Sequence, residues 1–155
     1  MDTRNSVAIL HPSKHILCAW LAFVVALTGL AADRSDAKAF EGTWTPVKAE
    51  LGGQPMADAV LKTITLKLHD GNYEVSVTGQ QDKGTYTIDA STQPKGMTIT
   101  GRDGPNKGKT FPAIYALEGQ TLRICYHLSG KQRPAEFKTN VGTLLYLVTY
   151  TRRKE

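Results

Sequence analysis

Cysteine is nearly missing from this 155-residue chain: Cys18 lies in an apolar segment near the N-terminus and Cys125 stands far downstream. No disulfide can form within the part of the chain that follows the apolar segment, because only one thiol is left there. Histidine is almost as scarce beyond that segment, with His69 and His127 alone. A zinc site needs three or four ligands, and these two histidines with Cys125 have no spacing that assembles one, so neither metal nor cofactor is expected. Cys125 and His127 are two residues apart, about 7 Å along a strand, yet a lone cysteine in a strand is ordinarily a small packed hydrophobe. The downstream serines are Ser76, Ser91 and Ser129, and none sits in a G-x-S-x-G nucleophile elbow. With no catalytic constellation, the chain reads as non-enzymatic. The formal net charge of +5 comes from lysines and arginines scattered along the chain without an aromatic-interleaved cluster. This gives no support to nucleic-acid binding, and a weak positive field serves solubility or attraction to anionic surfaces.

One long apolar run is present. Residues 16–32 (ILCAWLAFVVALTGLAA) carry no charge, follow Arg4 and Lys14, and precede the polar stretch Asp33 to Asp36. A basic start, an apolar centre and a small-residue exit describe a secretory signal peptide. Cleavage after Ala31 (Gly29 at −3) or Ala37 (Ser35 at −3) fits the small-residue rule, cleavage after Ala32 (Leu30 at −3) fits less well, and an uncleaved anchor is the alternative, since 17 residues is at the short end of the roughly 17–25 that span a bilayer. The expected division is therefore a signal peptide with a short polar linker over 1–37 and one domain over 38–155. The expected address is periplasmic or extracellular, with membrane contact only through the signal segment if it stays uncleaved. A domain of this length buries roughly two-thirds of its unfolded surface and needs no disulfide to hold one core.

From Thr43 onward apolar and polar residues alternate in short runs, the period-2 mark of half-buried strands. Ile64, Leu66 and Leu68 lead through Asp70-Gly71-Asn72 to Tyr73, Val75 and Val77, a hairpin whose Asp-Gly pair suits a primed turn. Tyr86 with Ile88, and Met97 with Ile99, follow as the next pair. Phe111, Ala113, Tyr115 and Leu117 then turn at Gly119 into Leu122, Ile124, Tyr126 and Leu128, and a long loop over 130–142 leads to a last strand over 144–153. With a first strand near Trp44 to Leu51 and a helical turn near Met56 to Leu61, the count is about eight strands, joined too closely for crossover helices. Such a meander hides its apolar face best by closing into an all-β, antiparallel, up-and-down, eight-stranded barrel, which also removes its own edges. A barrel of eight strands is either just filled by its side chains or holds one small ligand. Tyr86, Tyr115 and Tyr126 would place hydroxyls on its inner face and are the candidate ligand-binding residues.

Gly42-Thr43-Trp44 resembles the G-x-W signature of lipocalins, with Arg152-Arg153 on the last strand where such barrels set a basic side chain over that tryptophan. The chain is more closely similar to an uncharacterised lipocalin-like domain family abundant in planctomycete bacteria, through Glu41 to Trp44, Gly84-Thr85-Tyr86, Asp103 to Lys109, Ile114-Tyr115, Leu122 to Cys125 and Arg133 to Phe137. That resemblance implies a lipocalin-like barrel and an exported address, and it implies no activity. On physical grounds Trp44 can plug one end of the barrel while Arg152, preferred over Arg153, stacks on the indole for about 0.5–2 kcal/mol. Both would then serve closure.

Gly104 to Thr110 (GPNKGKT) looks like a phosphate-binding loop, but the first glycine that the motif requires is Asp103, and a strand with Pro112 follows where a helix should stand. It reads as a hairpin loop. Two functions remain for so small a domain. One is a lumen that binds a small hydrophobic or amphipathic ligand. The other is a solid barrel acting as an interaction or inhibitor module, which meets an envelope protein through Arg133, Glu136 and Phe137.

Overall fold

The computed structural model describes residues 35–154, so the apolar run at 16–32 lies outside the described residues. Residues 35–40 are helical (α1). The strands that follow are β1 (Gly42–Leu51), β2 (Gln54–Pro55), β3 (Thr65–His69), β4 (Asn72–Val77), β5 (Gln80–Asp89), β6 (Lys95–Asp103), β7 (Thr110–Glu118), β8 (Thr121–His127) and β9 (Leu145–Arg152), with a single turn of helix, α2 (Asp58–Leu61), before β3. β3 pairs antiparallel with β1, each later strand pairs antiparallel with the one before it, and β1 pairs with β9 from Trp44↔Arg152 to Leu51↔Tyr146, which closes the sheet. The two-residue β2 is a flap on the end of β1, so eight strands make the barrel, as the alternation predicts. Among the described residues no helix is long and apolar enough to cross a membrane.

Turn chemistry sets where the strands reverse. Asp70 and Gly71 both take positive φ between β3 and β4, the conformation that a two-residue hairpin requires and that most side chains resist. Pro46 precedes a bulge at Val47, where β1 shifts register against β9. A residue without an N–H is tolerated there because the ladder is already interrupted. Beyond the bulge Ala49 returns to the inner face and is buried.

The two ends of the barrel differ. At one end α1 lies across the opening: Phe40 is fully buried between Tyr86 and Tyr115, stacked on the first at 5.8 Å between centroids and edge-on to the second at 4.8 Å. Trp44 is also fully buried and its Nε1–H donates to the Phe40 carbonyl at 2.8 Å. Arg152 sits with its guanidinium carbon 4.3 Å from the Trp44 ring, and donates to the carbonyls of Ala39 and Glu41. Asp36 accepts from the Tyr115 hydroxyl at 2.6 Å and from Lys95 Nζ at 2.7 Å. Residues 36 and 37, grouped with the linker in the sequence reading, are thus part of this end of the fold. The other end carries the β4–β5, β6–β7 and β8–β9 connections together with α2, and opens to solvent.

Candidate functional site

An apolar cavity of about 180 Å³ occupies the open half of the barrel. Its floor and walls are aliphatic, from Leu66 and Leu68 on β3 to Ile99 on β6. Four tyrosines also face it: Tyr73 on β4, Tyr126 on β8, and Tyr146 and Tyr150 on β9. Strand alternation explains the last two, since Tyr146, Val148, Tyr150 and Arg152 share the inner face of β9 and climb from the mouth to the closed end. Tyr126 and Tyr146 are cross-strand partners with rings stacked at 5.7 Å, and Tyr126 and Tyr150 interact through their hydroxyls. Val77 and Leu128 line the rim and are exposed, as is Leu144 beside it.

The polar part of the wall is one group. Asp82 is only 6% exposed and lies on the inner face of β5, in step with Gly84 and Tyr86. Its Oδ2 accepts from the Tyr73 hydroxyl at 2.9 Å and from Asn106 Nδ2 at 3.0 Å, and its Oδ1 accepts from the Asn106 backbone N–H at 3.0 Å. Two glycines make this possible. A Cβ at Gly84 would stand 2.0 Å from the Thr100 carbonyl oxygen and 2.6 Å from the Tyr73 ring, and one at Gly101 would stand 2.0 Å from the Asn106 carbonyl oxygen. Without side chains there, the loop after β6 folds back over Gly101 and brings Asn106 to Asp82. The loop that mimics a phosphate-binding motif therefore belongs to the mouth of the lumen, and a strand follows it.

Of the tyrosines singled out from the sequence, the structure brings only Tyr126 to the cavity. Tyr86 and Tyr115 do point inward, but they stand at the closed end against Phe40. Period-2 alternation tells which face a residue occupies and says nothing of its height along the barrel axis. Trp44 and Arg152 meet at the closed end as described. In the 130–142 loop, Arg133 donates to the carbonyls of Met97 and Ala113 and to Thr98 Oγ1, and Phe137 lies 4.7 Å from the Arg123 guanidinium carbon. Glu136 is exposed. The loop is thus strapped to the outside of β6–β8, where it covers Ile114 and Cys125. Cys125 is fully buried with Sγ 3.9 Å from the Lys138 carbonyl, and burial raises its thiol pKa. His127 Nδ1 instead faces Ser129 Oγ at 2.8 Å.

A grouping not visible in the sequence is formed by Glu41, His69 and Asp70, whose ligand atoms lie within 4.8 Å of one another. Both ring nitrogens of His69 are engaged, Nδ1 at 3.6 Å from Glu41 and Nε2 at 3.1 Å from Asp70. An imidazole held at the surface between a half-buried and an exposed carboxylate is worth little to stability. Comparison of the chain with family models, with curated proteins and with solved structures gives no match.

The lumen tyrosines are protonated well beyond their ordinary range. Burial pushes Tyr146 up to about 12. It pushes Tyr150, Tyr126 and Tyr73 up as well, helped at Tyr73 by the neighbouring Asp82. A phenol whose folded pKa exceeds its unfolded value, about 10, contributes stability that is complete below pH 10 and is lost as pH rises through the folded value. The barrel is therefore expected to unfold cooperatively in alkali, beginning between pH 10 and 12, with phenolate absorbance and loss of near-ultraviolet circular dichroism rising together. Six tyrosines titrating near pH 10 with the dichroism intact would contradict this.

Proposed function

We propose that the protein is an exported, non-catalytic, lipocalin-like barrel that holds one small apolar or amphipathic molecule in its lumen. The observation that carries this reading is the 180 Å³ cavity with an apolar lining and an open mouth. Apolar walls with a few convergent polar groups are what small-molecule sites are made of. The volume sets the scale of the ligand. Apolar cavities of roughly 150 Å³ stay dry and admit benzene, so the enclosed part suits one aromatic ring or a short alkyl chain, while a longer tail would have to project past Val77, Leu128 and Leu144. Export rests on the basic, apolar and small-residue order of residues 1–37.

The reading in which the 130–142 loop grips an envelope protein has less support, because Arg133 and Phe137 are already committed to partners within the chain.

Native mass spectrometry of the protein purified from its own cell tests the proposal directly, with a retained small molecule as the expected result. Val75, half-buried on the lumen face of β4, provides the control. Val75→Phe is expected to fill the cavity, to weaken binding of a ring-sized neutral probe such as 2-phenylethanol by about tenfold or more, and to leave the melting temperature within a few degrees. A probe that binds the variant as well as the wild type is not in the lumen.

A further inference from the structure

Among the residues lining the lumen only Asp82 carries a charge, and it is negative. Its three hydrogen-bond donors, the Tyr73 hydroxyl and the two N–H groups of Asn106, are neutral. No lysine, arginine or histidine pairs with it among the described residues. A carboxylate has about four acceptor positions, so one is left over after these three. The rings of Tyr73, Tyr126, Tyr146, Tyr150 and Phe111 line the same space. Aromatic faces are negative at their centres and attract organic cations, most strongly where water is excluded. An anion entering this space would meet a like charge in a medium that screens poorly, with no basic side chain in the lining to receive it.

Building on the reading of the lumen as a binding site, we propose that its ligand class is the organic amine: a protonated nitrogen beside Asp82 on a molecule whose apolar part is the size of one ring. The same wall rejects carboxylates of equal size. An ammonium group would supply the charge-assisted donor that the fourth acceptor position lacks, while the apolar part fills the aliphatic space toward Leu66 and Ile99. Holding the 104–109 loop in place is the simpler duty of Asp82, and that duty alone would give no preference for charge.

Isothermal titration of the full chain at pH 7 with three molecules of matched shape separates these cases: 2-phenylethylamine, 2-phenylethanol and phenylacetate. The amine is expected to bind about tenfold or more tighter than the alcohol, and phenylacetate about tenfold or more weaker than the alcohol. In Asp82→Asn, which keeps one acceptor oxygen for the Tyr73 hydroxyl and the Asn106 side-chain amide, the advantage of the amine over the alcohol should disappear. Amine and alcohol binding the wild type equally would overturn the proposed ligand class and leave the lumen as a site for neutral molecules. Failure of all three to bind would overturn both. The comparison among ligands on the wild type decides the matter even if Asp82→Asn does not fold.

Discussion

Replacing Trp44 with alanine is expected to cost about 3–5 kcal/mol of folding stability and to leave the affinity of the lumen for a small ligand unchanged. Trp44 is fully buried, donates to the Phe40 carbonyl, and lies beneath the Arg152 guanidinium. Alanine would therefore remove the largest side chain at the closed end, one hydrogen bond to the α1 segment and the ring that the guanidinium rests on. For a domain of this size such a loss lowers the melting temperature by about 10–25 °C. The cavity lies in the opposite half of the barrel and Trp44 takes no part in its lining. Denaturant unfolding at a temperature where the variant remains folded, alongside ligand titration, checks both halves of the statement. A variant that kept its stability and lost its ligand would show that the closed end shapes the pocket.

Phe40→Ala is expected to approach the same size, about 3–5 kcal/mol, although Phe40 belongs to no strand. It is fully buried and fills the space between Tyr86 and Tyr115. Asp36→Ala acts on the same contact from its polar side, because it takes the carboxylate away from Lys95 and from the Tyr115 hydroxyl. The cost there is about 1–3 kcal/mol, the loss of a part-buried carboxylate that accepts from two donors. Tyr115 touches both residues, so the two changes should be non-additive in a double-mutant cycle by about 0.5–3 kcal/mol. Strict additivity would mean that Phe40 and Asp36 hold the barrel end independently. Urea denaturation of the four proteins measures it.

The barrel itself was legible in the sequence because its strands are amphipathic. Ile64, Leu66 and Leu68 against Tyr73 and Val75, or Phe111 and Tyr115 against Leu122 and Ile124, need only the period-2 rule and a turn between them. The cavity and the loops around the barrel were less legible for three separate physical reasons. β5 starts at Gln80, six residues before the alternation becomes apolar at Tyr86, and Asp82 is hidden in the polar stretch Gln80 to Lys83. Counting back in twos from Tyr86 through Gly84 would have set a carboxylate on the inner face. The two tyrosines at the closed end have the right parity and the wrong level, since level follows from strand register. The 130–142 loop has no periodicity at all, and what straps it down is a set of scattered contacts, Arg133 to backbone carbonyls of β6 and β7, Phe137 against Arg123, and Thr139 to Gly53 and Glu50. Such contacts between distant parts of the chain leave no local mark.

If residues 1–37 are the signal peptide and linker proposed above, the short helix over the closed end also bears on maturation. A peptidase that cuts after Ala31 or Ala32 leaves Asp36, Phe40 and the carbonyl groups that Arg152 reaches. One that cuts after Ala37 removes Asp36 and places a new charged amino group two residues from Phe40, and Lys95 loses its carboxylate partner. The two products would have the same strands and the same lumen but different lifetimes. Overtrimmed molecules would open first from the sealed end, and a protease that clears loosely folded chains would remove them. On the proposed reading of residues 1–37 as a signal peptide and linker, the durability of the finished barrel would depend, through six residues that build no part of the wall, on the accuracy of a single peptide-bond cleavage.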